Sequence, residues 1–265
     1  MNNNKPLILV TNDDGMFAPG IKNLVSVAKE LGDLVVVAPD SPQSAKGHAV
    51  TMSVPLRLNK VDAFGPDVEA YECSGTPVDC VKLAKHVLLR DRKVDLCVSG
   101  INHGSNASIN IIYSGTMSAA MEASLEGIPS IGFSLLDYSF EADFKASVHY
   151  ARHIMSYVLE NGLSDCNLLN VNIPRLPLEE VKGVKVCRQA EGRWVEDFTE
   201  GLDPRKQRYF WLTGNFIVDD SGSDTDINAL EEGFVSIVPS WHDLTRYPAI
   251  KSNAKLVDFV ANKDR

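Results

Sequence analysis

The chain has 265 residues, of which 44% are hydrophobic and 23% charged. That composition excludes a disordered or collagen-like protein and leaves ample apolar surface for a core. Its 26 basic and 35 acidic residues sum to a formal charge of −9, which argues against a broad basic surface for duplex nucleic acid, while a small phosphate can still be held by backbone amides and a metal.

In chain order, Leu7–Thr11 is a continuous apolar run of the kind a buried parallel strand shows, broken by Asn12-Asp13-Asp14-Gly15. Ile21, Leu24, Val25, Ala28 and Leu31 follow at helical spacing, with Gly32 just past the end. Leu34–Ala38 is a second buried strand, which makes a βαβ unit and predicts a parallel sheet. Residues 49–73 read as loosely extended. Thr76-Pro77 then opens a helix, with Thr76 as N-cap, Asp79 at N3, and Val78, Val81, Ala84, Val87 and Leu88 as its apolar face. Val94–Val98 is predicted as a strand and Ser99–Gly115 as a Gly/Asn/Ser-rich loop. A helix with Met117, Ala120, Met121 and Leu125 inward stops at Gly127. Ser130–Leu135, the amphipathic segment Phe144–Leu159 and Leu168–Ile173 complete the alternation.

After Pro174 the texture changes. Arg208–Leu212 and Asn215–Val218 read as a hairpin turning at Thr213-Gly214, and Phe234–Val238 as one more strand. Residues 1–180 therefore read as a doubly wound, mostly parallel, Rossmann-like α/β core. Residues 181–265 read as a β-rich extension continuous with it and suited to contacts between copies. Five cysteines without a CxxC pair point to neither a disulfide framework nor a zinc site. The leader Met1–Pro6 is short and polar, unlike a signal peptide, and no apolar run approaches the roughly 18 residues of a membrane span. The cytoplasm is the expected location.

Ligands of open α/β sheets bind beyond the carboxyl ends of the strands. Three polar loops begin there: residues 12–15, 40–48 and 99–115. Asp13 and Asp14 repel each other unless a hard divalent cation lies between them, although Asp-Gly is also an ordinary turn signal. Asn102 and Asn106 offer neutral oxygens to such a cation, or belong to a turn-rich connection. Ser114, Gly115 and Thr116, just before a helix, form either a phosphate cradle or a plain N-cap. His48 is either a general acid or base or an ordinary surface residue.

Taken together, Leu9–Gly15 with Ala18-Pro19-Gly20, Val37-Ala38-Pro39 leading to Ser44, Ser74–Val81, Val98–Asn102 with Gly104 and Asn106, Tyr113–Thr116 with Ala119–Glu122, Asn170–Pro174, Thr225-Asp226 and Gly233–Ile237 resemble the SurE family, the stationary-phase survival protein E. The resemblance covers nearly the whole chain in family order. It implies a metal-dependent nucleotidase that hydrolyses nucleoside 5′- and 3′-monophosphates. It implies one divalent cation per subunit, Mg²⁺ or Mn²⁺, on Asp13, Asp14, Ser44 and Asn102. It implies catalysis by Asp13, Asp14 and Asn102, and phosphate binding by Ser114, Gly115, Thr116 and Asn106. It further implies a homodimer or homotetramer joined through the C-terminal region. Ala45-Lys46-Gly47 departs from the family's Gly soon after the serine, and Ala123 from its Gly after the helix Glu; neither removes a ligand. A dehalogenase-type phosphatase would need an Asp-x-Asp pattern, but Gly15 stands two residues after Asp13. A nucleotide sensor would bind without releasing phosphate.

Overall fold

A computed structural model describes residues 5–139 and 141–261; the polar residues 1–4 lie outside the described residues. β1 (Leu7–Thr11), α1 (Pro19–Leu31) and β2 (Asp33–Pro39) form the expected parallel unit. β3 (Leu58–Val61), β4 (Glu69–Cys73), α2 (Pro77–Leu83) and β5 (Leu96–His103) follow. Then come α3 (Gly115–Leu125), β6 (Ser130–Leu135), α4 (Lys145–Asn161) and β7 (Leu168–Ile173). The rest is β8 (Val184–Val186), β9 (Gly192–Leu202), β10 (Arg208–Val218), α5 (Asp226–Glu231), β11 (Val235–Ser240), α6 (Tyr247–Ser252) and α7 (Lys255–Ala261).

Among the described residues the main sheet runs β3-β4-β2-β1-β5-β6-β7-β11-β8. β4, β2, β1, β5, β6 and β7 are mutually parallel, whereas β3 and β11 pair antiparallel at either side of that block. Side chains alternate across a strand, so each strand feeds two cores. Ile8, Val10, Val36 and Val98 pack with Ile21, Leu24 and Met155 of α1 and α4 on one face. Leu7, Leu9, Val35 and Cys97 pack with Cys80, Val81, Ala119 and Ala123 of α2 and α3 on the other. This is the doubly wound, mostly parallel α/β fold expected from the alternating runs. The chain leaves β1 for β2 on one side and returns to β1 through β5 on the other, which places a topological switch point at the carboxyl end of β1.

Thr76 caps α2 as predicted: its hydroxyl accepts from the Asp79 N–H while Asp79 accepts from the Thr76 N–H. Val87 and Leu125, expected inward, are exposed. After Leu83 the helix continues as a π turn over 84–88, whose extra residue rotates Val87 off the buried face. Leu125 ends α3 at the surface, while Met117 and Ala120, as expected, and Ala119 and Ala123 do the packing, with Met121 partly buried beside them.

The hairpin is larger than predicted. β9 and β10 pair antiparallel along their whole length, from Gly192↔Val218 to Leu202↔Arg208. Thr213 and Gly214 lie inside β10, and the turn falls at 203–207. There the Asp203 carboxylate accepts from the N–H groups of Arg205 and Gln207, both at 2.8 Å. α6 and α7 were not expected from the sequence. No helix among the described residues is long and apolar enough to cross a membrane.

Candidate functional site

The sheet brings the three polar loops together at the switch point. Asp13, Asp14, Ser44, Asn102, Asn106 and Ser114 share one cleft of about 300 Å³, whose wall also includes His103, Ser105, Asn110, Tyr113 and Tyr138. Asn12, buried, braces the turn that carries the two carboxylates: its amide donates to the Gly15 carbonyl at 2.9 Å and its Oδ1 accepts from the Gly15 N–H at 3.2 Å. Gly15 has φ +97°, a left-handed conformation that suits glycine.

Asp13 is buried. Burial, and next the neighbouring Asp14, push its carboxyl up to about 6 despite a hydrogen bond donated by the Thr116 hydroxyl. Burial likewise raises Asp14, opposed by His103. Asp14 Oδ2 and His103 Nε2, both of cleft-wall residues, are buried without a hydrogen-bond partner from the protein, a condition that costs free energy.

Asn102 lies on a continuation of β5 rather than in a loop, because the pairing with β6 slips between Ser99 and Asn102 and then resumes. Its amide nitrogen donates to the Gly104 carbonyl at 2.8 Å, which leaves Oδ1 available. Ser44 stands exposed on the 40–48 loop. Two backbone bonds hold that loop over the cleft: the Gln43 N–H donates to the Asp13 carbonyl (2.7 Å) and the Gly47 N–H to the Tyr113 carbonyl (3.1 Å).

Ser114 caps α3, its hydroxyl oxygen accepting from the Met117 N–H at 3.0 Å. Gly115 and Thr116 pack behind Asp13 rather than on the cleft wall. A Cβ on Gly115 would stand 2.7 Å from Asp13 Cβ, so only glycine lets α3 begin this close to the carboxylate.

Asn106 is buried in an amide network at the ends of β6 and β7. Its N–H donates to Asn172 Oδ1 (2.8 Å), its side-chain nitrogen to the Ser134 hydroxyl (2.7 Å), and its carbonyl accepts from Asn170 Nδ2 (2.8 Å). The supporting roles of Asn170 and Asn172 were not read from the sequence, although two buried asparagines on one face of an otherwise apolar strand are a usable signal.

Thr225-Asp226 also acquires a role. Asp226 is fully buried and accepts from the N–H groups of Ser108 (2.8 Å) and Ala190 (2.9 Å), tying the segment after Asn106 to the C-terminal region. His48 is not on the cleft wall; its Nε2 lies 2.8 Å from Glu122 Oε2, and Glu122 also takes a hydrogen bond from Lys82. These two partners hold the Glu122 carboxyl below its usual range.

The fold and cleft define a class: a doubly wound α/β protein with an oxygen-rich pocket at its switch point. Residues 8–196 match the family model described as Survival protein SurE. The protein named 5'-nucleotidase SurE in Christiangramia forsetii is 59% identical over 252 residues, spanning 95% of this chain and 96% of that one. Its namesake in Flavobacterium psychrophilum is 56% identical over 248 residues, 94% of this chain and 96% of that one. The crystal structure of the SurE protein from Aquifex aeolicus matches with TM-score 0.81 and 40% identity, over 96% of this chain and all of that one. The chain belongs to the SurE family.

Proposed function

We propose that the protein is a 5′-nucleotidase that hydrolyses the phosphate ester of nucleoside monophosphates with one divalent cation, Mg²⁺ or Mn²⁺, in the cleft, and that 3′-monophosphates are also substrates. The observation that carries the cation is the orphaned, buried Oδ2 of Asp14 beside the raised carboxyl of Asp13. Among the described residues no group of three or more His, Cys, Asp or Glu is arranged for a metal. The donor set is instead two carboxylates with the neutral oxygens of Asn102 and Ser44, which suits a hard ion that keeps water in its shell.

Asp13, Asp14, Ser44 and Asn102 would hold the cation. When bound, it supplies neutralisation of phosphate charge and a lowered pKa for water. Thr116 fixes Asp13 in place through its hydroxyl. The Ser114 oxygen is occupied by the Met117 N–H, so its own hydrogen is left for a phosphate oxygen. Asn106 uses one amide hydrogen on Ser134 and presents the other to phosphate. Gly115 and Thr116 support this end of the phosphate site from behind Asp13. In the reaction, the water oxygen bonds phosphorus, the ribose O–P bond breaks, one proton of that water ends on the departing ribose oxygen and the other stays with the phosphate.

The test is phosphate release from a panel of 5′- and 3′-monophosphates after chelation, with Mg²⁺, Mn²⁺ or no metal restored. Asp14→Asn should lose nearly all turnover while staying folded. Metal-independent release, or an active Asp14→Asn, would sink this assignment.

We also infer association of copies through the C-terminal region. Tyr209 and Trp211 share one face of the hairpin, 6.4 Å apart and exposed, and Leu256 and Val257 are exposed on α7. Light scattering that returned a monomer would exclude it.

A further inference from the structure

The hairpin carries a recess whose side chains the nucleotidase reading leaves unused. In antiparallel pairing, directly opposite residues share a face. Trp194 faces Phe216, Glu196 faces Gly214 and Phe198 faces Leu212, so Trp194, Glu196, Leu212 and Gly214 lie on one face of β9–β10. Gly214 has no side chain to fill the space between Leu212 and Phe216. A Cβ there would stand 2.5 Å from the Val195 carbonyl oxygen.

The result is a mainly apolar hollow of about 440 Å³, walled by Trp194, Leu212, Glu196 and Thr213 from the hairpin and by Tyr113 and Ala45 from the core. Tyr113 and Ala45 also line the Asp13–Asp14 cleft, so the two hollows adjoin along a shared wall. Trp194 is held at the junction. Its Nε1–H donates to Asn110 Oδ1 at 2.9 Å, and Asn110 is itself on the cleft wall. Its ring lies 5.6 Å from that of Phe216, which leaves 42% of the residue exposed.

We propose that this recess is the nucleobase subsite, in which the base of a nucleoside monophosphate stacks on Trp194 while its phosphate lies in the adjoining cleft. The proposal rests on the nucleotidase reading for the phosphate end. An aromatic plane beside an apolar wall accepts any base, because every base has a π-face. The rim carboxylate of Glu196 offers an acceptor to amino and imino groups on the base edge. Recognition of the base is therefore assigned to the hairpin, and chemistry to the sheet.

The experiment compares a nucleoside 5′-monophosphate with ribose 5-phosphate, which has the same ester but no base. Wild type, Trp194→Ala and Trp194→Phe are compared on both substrates with metal present. Trp194→Ala should raise KM for the nucleotide about tenfold, the scale of a lost base stack, and leave kcat/KM for ribose 5-phosphate unchanged. Trp194→Phe keeps a ring without the N–H for Asn110 and should stay within about threefold of wild type. Equal losses on both substrates, or no loss on either, would overturn the subsite while leaving the nucleotidase intact. So would a shift in oligomeric state without a nucleotide-specific effect, which would mean that a second copy fills the recess. Absence of turnover on both substrates in wild type would instead remove the nucleotidase reading. Calorimetric titration with adenosine alone then still decides the subsite: binding weakened about tenfold by Trp194→Ala upholds it, and binding unaffected by the substitution refutes it.

Discussion

Gly115→Ala isolates the contact between α3 and Asp13. The new Cβ would sit 2.7 Å from Asp13 Cβ and 2.9 Å from Asp13 Oδ2. Carbon–carbon contacts settle at about 3.5–4.0 Å, so the helix start or the carboxylate must yield by about 1 Å. Neither is free to do so, because Asp13 is buried and bonded to Thr116, the next residue of the same helix. Overpacking of this kind costs about 1–3 kcal/mol. Alanine's advantage over glycine in a helix returns about 0.5–1 kcal/mol. The net loss is about 0–2.5 kcal/mol, a fall in Tm of at most several degrees. Activity should suffer far more, since a displacement of about 1 Å at a reacting centre costs on the order of a hundredfold. Thermal unfolding and phosphate release on the same preparation separate the two effects. A variant with a raised Tm and full turnover would show that the contact does not position Asp13.

Three further outcomes follow from buried groups. Asp13, with its carboxyl raised from 3.8 to about 6, binds its proton more tightly folded than unfolded; chelated protein should therefore lose about 3 kcal/mol of stability as pH rises from about 4 to above 6. Asp13→Asn should abolish that slope, and an unchanged slope in chemical denaturation would refute it. Glu122 is held below its usual range by His48 and Lys82, so its contribution is present above the unfolded value of 4.5 and lost as pH falls. Glu122→Gln should cost about 1–2 kcal/mol near neutrality, with the difference from wild type vanishing in acid melts. Asp226→Ala strands the buried N–H groups of Ser108 and Ala190 and should cost about 3 kcal/mol or more; amide exchange should rise in residues 105–112 if this carboxylate holds that segment.

The parallel block was legible because its strands are buried on both faces and so appear as unbroken apolar runs, Leu7–Thr11 and Leu34–Ala38 among them. The convergence of the three polar loops at one edge followed from strand polarity, since parallel strands send their connections to the same side; Ser44, and Asn102 over Asn106, were singled out within them by the family resemblance. The hairpin turn was misplaced because Thr213-Gly214 is a strong local turn signal. Pairing over eleven residues overrides it, and the true turn starts at Asp203-Pro204, a comparable signal. The role of Asp226 was illegible for a different reason. Its partners Ser108 and Ala190 lie 118 and 36 residues away, and a buried carboxylate bonded to backbone leaves no periodicity to read. The recess at Gly214 was hidden in the same way, because it depends on which residues face each other across β9 and β10.

The two ends of the hairpin come together where it joins the body of the protein, to which Trp194 also ties it through Asn110. At its foot the Asp219 N–H donates to the Glu191 carbonyl at 2.9 Å, so the chain leaves and re-enters at adjoining points. Just beneath, Asp226 clamps Ala190 and Ser108 independently of anything further out. A segment with touching ends behaves as an insertion. Its length can change with little added loop-closure entropy, while the Asp226 bonds to Ser108 and Ala190 stay in place. If the recess holds the base as proposed, replacement of this one arm changes selectivity without altering the carboxylate cleft.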